Sequence, residues 1–182
     1  MIRRTLLILP TLLLALLTCS TVNAQRDHLT PQEVDLVKEA QILDKRIEVF
    51  IKAADRRLMV LNGTQSANAK QLKKDSELWG ELPAGSHADL LGDIAGILDE
   101  AITNIDDVSS RDERNPLIPK ALRRLAEAAN TIMTQVTPFR DQAKSDGEVA
   151  SLESLNEEAQ QILEAAKKLP PPEPEKKAKK KN

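Results

Sequence analysis

TPQEVDLVKEAQILDKRIEVFIKAADRRLMVLNG, residues 30–63, begins with a helix start and ends with a helix stop. Thr30 can cap the first turn, Pro31 suits the first helical position, and Glu33 can reach back to complete a capping box. Asn62-Gly63 supplies a left-handed stop. Between these signals Leu36, Ala40, Leu43, Ile47, Phe50, Ala54, Leu58 and Leu61 follow one another at steps of three or four, which sets them on one stripe of a helix. The pattern predicts one helix over about 31–62 with a buried seam. Glu48 and Lys52 are expected to pair on its wet side, a contribution of about 0.3 kcal/mol.

The same periodicity recurs downstream. Ser86 and Asp89 form a second capping-box pattern, and Leu91, Ile94, Leu98, Ala101, Ile105 and Val108 follow at heptad spacing over about 87–108. Leu122, Leu125, Ala129, Ile132, Val136, Phe139 and Ala143 make a third stripe over about 116–145. That stripe continues across Pro138, which predicts a kinked helix rather than two. Leu152, Leu155, Ala159, Ile162, Ala166 and Leu169 make a fourth over about 148–169, ended by Pro170. Residues 64–86 hold helix formers interrupted by Gly80, Pro83 and Gly85, and read as a short helix inside a long loop. With 6 Gly, 2 Phe, 1 Trp and no Tyr, few residues favour strands. The expected fold is all-α, an antiparallel four-helix bundle over 25–169, with an elongated coiled-coil-like dimer as the alternative. Sustained heptads leave a homo-oligomer open.

The first 24 residues are different material. Arg3 and Arg4 precede a run from Leu6 to Leu17 that is apolar apart from Thr11, and Val22-Asn23-Ala24 places small residues at the −3 and −1 sites of a secretory leader. The run is 12 residues, short of the roughly 20 that cross a bilayer. Cleavage is expected between Ala24 and Gln25, giving an exported protein, periplasmic or secreted. Leu16-Leu17-Thr18-Cys19 approaches a lipid-anchoring pattern but carries Thr at −1 where Gly or Ala is usual. Cleavage after Ala24 removes Cys19, the one cysteine of the chain. Disulfides, thiolate metal sites and cysteine nucleophiles then drop out.

The C-terminal segment 170–182 runs from three prolines to Lys176, Lys177, Lys179, Lys180 and Lys181, a stiff spacer followed by a cationic end that is expected to be disordered. Of the 26 basic and 28 acidic residues in the chain, the tail takes five lysines and two glutamates and the leader two arginines, leaving the body at a net −7. The five lysines are candidates for an electrostatic tether to an anionic cell-envelope polymer or membrane surface, each adding up to about 1 kcal/mol. A merely solubilising end is the plain alternative. Nucleic acid is not expected as the physiological partner, since export removes it and no aromatic residues interleave the lysines.

Motifs for chemistry are scarce. A di-iron bundle would need Glu-x-x-His pairs, and neither His28 nor His87 has Glu three residues earlier. His87 with Asp89 reads as a polar first turn rather than a metal site. Asp99-Glu100, Asp106-Asp107 and Glu157-Glu158 are neighbours along helices and point in different directions, so they read as solvated faces. Gly92 and Gly96 sit four apart, a spacing for close helix packing or a partner groove, and Asp93 between them excludes a membrane span. Trp79 is expected to lid the core rather than form a ligand platform. No phosphate loop, nucleophile elbow or His-Glu-x-x-His is present. No cofactor or metal is expected.

Leu29-Thr30-Pro31-Gln32-Glu33-Val34-Asp35-Leu36-Val37, continuing from Leu43-Asp44-Lys45-Arg46-Ile47 to Ala53-Ala54-Asp55-Arg56-Arg57, resembles the opening helix of a group of uncharacterised exported helical bacterial proteins. The resemblance implies export and helical structure and carries no activity to any residue. The expected function is non-enzymatic binding in the periplasm or cell envelope. Two alternatives stand beside it: a small-ligand or metal-binding, sensor-like bundle, and a hydrolase using carboxylates brought together from different helices.

Overall fold

The computed structural model describes residues 27–171, and the expectations for the leader, Ala24, Gln25, Cys19 and the lysines of the tail lie outside the described residues. The fold is all-α: α1 Pro31–Glu39, α2 Leu43–Leu61, α3 Ala69–Trp79, α4 His87–Arg111, α5 Leu117–Arg140 and α6 Asp146–Lys167. α2, α4, α5 and α6 pack around one apolar core, and α1 and α3 lie against its outside.

Side-chain contacts fix the directions of the long helices. Arg57 meets Asp93 and Arg46 meets Asn104, so α2 and α4 run antiparallel. Arg140 reaches Asn156 and Arg123 reaches the Pro170 carbonyl, so α5 and α6 are antiparallel too. Consecutive long helices therefore reverse, as the short α4–α5 and α5–α6 connections require. The closest pairing, however, joins α4 to α6, which are not consecutive and run parallel: Ser151 Oγ donates to the Ala88 carbonyl at 2.9 Å, and Gly92 faces Ser151 one turn on. α2 and α5 are likewise parallel, through Lys120 on Asp44 and Asn62 on Gln135.

The four predicted seams form the core. Ile47, Phe50 and Ala54 of α2, Ile94, Leu98 and Ala101 of α4, Leu125, Ala129 and Ile132 of α5, and Leu155, Ala159 and Ile162 of α6 are all buried. α4 buries a wider face than its heptads indicate, because Leu90, Ala95 and Ile97 are also covered where it meets α2, α5 and α6. Trp79 is buried as a lid, under Lys52 and Arg56.

Three local expectations need correction. The single helix over 31–62 is two helices, broken at Ala40–Ile42. Ile42 is extended and has no side-chain cap, and the Arg46 guanidinium takes the Ala40 carbonyl at 3.0 Å. In an unbroken helix the 23 residues separating Glu33 from Arg56 would span about 35 Å, whereas the break folds α1 back so that the two meet. Leu36 and Ala40 consequently end half-buried instead of in the seam. Secondly, Glu48 and Lys52 do not pair: Glu48 takes Lys45 and Arg124, and Lys52 takes Asp75 at 2.7 Å. Thirdly, the helix through Pro138 stops at Arg140 rather than near 145, two residues after the ring removes a helical N–H, and Ala143 is half-buried in the following connection.

The predicted caps form. Thr30 with Glu33 and Ser86 with Asp89 are complete capping boxes, and Ser145 with Glu148 makes a third. Gly63 follows the stop of α2 at φ +63. Gly80 ends α3 at φ 65, ψ −166, a backbone essentially reserved for glycine.

Candidate functional site

The chemistry-bearing side chains that the fold brings together lie where the start of α1, the last third of α2, the end of α3 and the first third of α4 converge. Glu33 is fully buried. One oxygen, Oε2, accepts the Thr30 backbone N–H at 2.9 Å as the capping box requires. The other, Oε1, accepts from Arg56 Nε at 3.1 Å and Arg57 Nη1 at 2.7 Å. One carboxylate thus caps its own helix and anchors it to α2.

Each arginine then reaches a different part of the chain. Arg56 Nη2 gathers the carbonyls of Trp79, Gly80 and Glu81 at 3.1, 3.3 and 2.5 Å, placing a cation on the C-terminal end of α3, where the helix dipole favours one. Arg57 Nη2 donates to the His28 carbonyl at 2.7 Å, and Nη1 also donates to Ala53 O at 2.9 Å. Its Nε lies 3.7 Å from Asp93 Oδ2 on α4. Two guanidinium groups and two carboxylates therefore balance inside the protein, as buried charges must. Burial pulls the Arg56 pKa below the usual arginine value against the opposing field of Glu33.

α3 depends on the same cluster. Among the helices it approaches only α1 closely, and side chains hold it over α2: Lys52 lies 4.7 Å over the Trp79 ring, Arg56 lies 5.6 Å over it, and Lys52 pairs with Asp75. The hydrogen bond from Lys52 is the chief cause holding the Asp75 carboxyl below the usual carboxylate range.

Beside the cluster a solvent-open groove of about 610 Å³ is bounded by Thr30, Gln32, Arg57, Pro83 and Asp93. It is roomy enough for a small polar molecule. On the other side of the lead-in segment, His28 rests on Gly96, so closely that a Cβ there would lie 2.9 Å from the ring, and His28 Nε2 sits 2.7 Å from Glu100 Oε2.

The remaining candidates disperse. His87 meets the Phe139 ring edge-on at 5.5 Å and lies 3.8 Å from Glu148, while Asp89 accepts from the Ser86 backbone and hydroxyl as a cap. Glu158 is pushed up mainly by burial and then by the charges of Asp99 and Glu157. Asp107 pairs with Arg111 at the exposed end of α4. Among the described residues no group of three or more His, Cys, Asp or Glu is placed to hold a metal ion, and no helix is long and apolar enough to cross a membrane.

Sequence reading found Glu33 as a cap but missed it as an anchor. A signal was present: Arg57 falls three residues after Ala54 and four before Leu61, on the apolar seam itself, where a charge needs a partner. Asp44 was missed in the same way. It is buried at the start of α2, where Lys120 Nζ lies at 2.8 Å and Arg124 Nη1 at 3.3 Å. The Lys120 hydrogen bond is the main cause that lowers its carboxyl pKa.

Comparison with protein-family models, with curated proteins and with solved structures gives no match.

Proposed function

We propose that this chain is an exported helical-bundle protein of the periplasm or cell envelope that acts by binding and not by catalysis. The reading rests on one observation. The charged side chains buried in the bundle, Glu33, Asp44, Arg56, Arg57 and Asp93, are each engaged by opposite charge from the same chain. A catalytic acid, base or nucleophile has to reach a substrate and change its protonation or bonding state. Groups committed to holding helices together serve the frame, and contact with partners falls to the surface and the termini.

In this reading the leader ending at Ala24 delivers the protein, and Lys176, Lys177, Lys179, Lys180 and Lys181 tether its acidic body to an anionic envelope polymer or membrane surface. Membership in the group of exported helical proteins that its first helix resembles belongs to the same proposal. The test is cosedimentation of the mature protein, with and without residues 170–182, against cell-envelope fractions at low and high salt. The full chain is expected to pellet at low salt and be released at high salt, with the shortened chain staying soluble. Equal behaviour of the two forms removes the tether. Turnover of an envelope substrate, abolished by one carboxylate or histidine substitution, removes the non-enzymatic reading.

The groove beside Arg57 and Asp93 favours a second reading, a small-ligand-binding bundle. A ligand that raises the melting temperature in step with its concentration, and loses that effect on Gln32→Ala, supports this reading.

A further inference from the structure

α1 is attached unlike any of the long helices. Its one buried side chain is charged, Glu33, while Val34, Leu36 and Val37 are only half-buried against the core. The lead-in adds Leu29, which is buried. At its other end α1 is joined to α2 by Ala40–Ile42, which lie outside both helices, with Ile42 56% exposed.

The polar attachments of this segment to the rest of the protein run largely through Arg56, Arg57 and Glu100. Glu33 takes Arg56 and Arg57, the His28 carbonyl takes Arg57 Nη2, and the His28 ring takes Glu100. Lifting residues 27–39 away uncovers Leu29, one side of three half-buried residues, the Arg56–Arg57 face of α2 and the side of α3 that meets α1. The contacts of α2, α4, α5 and α6 with one another remain. A segment with few buried apolar contacts and a hinge at one end opens at a lower free energy than the whole domain.

We propose that residues 27–39 form a latched arm that opens as a unit on a bundle that stays folded, with the Glu33 carboxylate as the latch. Opening frees Arg57 most. It loses Glu33 and the His28 carbonyl and keeps Ala53 and Asp93, whereas Arg56 remains on the carbonyls that end α3. Neighbouring guanidinium groups favour carboxylates and other oxyanions. The closed arm therefore fills with its own carboxylate a site that, when open, suits an acidic group on a partner.

The test is native-state hydrogen exchange of the full chain, followed by mass spectrometry through increasing urea below the unfolding transition. The amides of Val34 to Ala40 are expected to exchange through an opening that depends little on urea, well before those of α4 and α6. Glu33→Gln is expected to speed exchange in 27–39 about a hundredfold, and to speed α4 and α6 by no more than the same factor, since global unfolding breaks the latch too. If the wild-type amides of α1 exchange at the same rate and with the same urea dependence as those of α4, the arm does not open separately. Glu33→Gln speeding α4 and α6 while 27–39 keeps its wild-type rate overturns the latch, because the arm would then open with Glu33 still bound. The wild-type measurement decides the first point whether or not the variant folds.

Discussion

The two sides of α2 are built on opposite principles. Toward α4 and α5 it presents Ile47, Phe50, Ala54 and Leu58, and the helices it meets there answer with Ile94, Leu98, Leu125 and Ile132, all buried. Toward α1 and α3 it presents Lys52, Arg56 and Arg57, and those helices bury one side chain each, Glu33 and Trp79. Apolar packing is non-directional and adds up with area, so the inner side tolerates exchange of one hydrocarbon for another of similar volume. Buried ion pairs are directional and contribute little net stability when complete, yet removing one partner leaves a charge stranded. The inner side sets how stable the bundle is, and the outer side sets where α1 and α3 sit.

That contrast can be broken most forcefully from the inside. Phe50 is fully buried, and Phe50→Ala is expected to cost about 3–5 kcal/mol in urea denaturation, with α2, α4, α5 and α6 losing protection together. Loss confined to α1 and α3 would mean that the core is not shared.

The glycines of α4 sharpen the contrast. A Cβ at Gly96 would meet His28 at 2.9 Å, whereas at Gly92 the nearest contact is Ser151 Oγ at 3.4 Å. Gly96→Ala should dislodge His28 and raise exchange in 27–39, and Gly92→Ala should be neutral or stabilise by up to about 1 kcal/mol through helix propensity. If both behave alike, His28 is not seated on α4 as described.

The smallest effect is electrostatic. The carboxyls of Asp44, Glu48 and Asp75 are lowered chiefly by hydrogen bonds from Lys120, Lys45 and Lys52 respectively. Their stabilisation is fully present above the ordinary carboxylate range and is lost as pH falls from that range through their lowered folded values. Glu158 runs the other way, because burial raises its pKa, so its ionised form opposes folding at neutral pH. Glu158→Gln should raise the melting temperature slightly at pH 7 and lose that advantage near pH 4. A gain that persists at pH 4 would point to packing instead.

Much of the inner side is legible in the sequence, because steps of three and four in Leu, Ile and Ala report burial directly. The caps at Thr30 and Ser86 read correctly, as do the seams of α2, α4, α5 and α6 apart from Ala143 and Leu169, which lie half-buried beyond the ends of α5 and α6. The outer side is harder to read. Glu33 bonds to residues 23 and 24 positions away, and periodicity is silent on such pairings. It equally conceals the break at Ala40–Ile42, since the apolar step from Leu36 to Ala40 to Leu43 continues across it. The parallel pairing of α4 with α6 is invisible for a related reason: each stripe shows that it is buried but not against which neighbour. Gly92 opposite Ser151 is a trace of that pairing, and in sequence its spacing to Gly96 reads as close packing or a partner groove.

The most direct test of the outer side is a double-mutant cycle on Glu33 and Arg57 by urea denaturation. Glu33→Gln and Arg57→Gln should each cost about 3 kcal/mol, and the double variant should cost less than their sum by at least about 1.5 kcal/mol, because each single change takes from the other buried charge its nearest opposite partner. Costs that add to within about 0.5 kcal/mol would contradict the account, since the two residues would then not act as a pair holding α1 to α2.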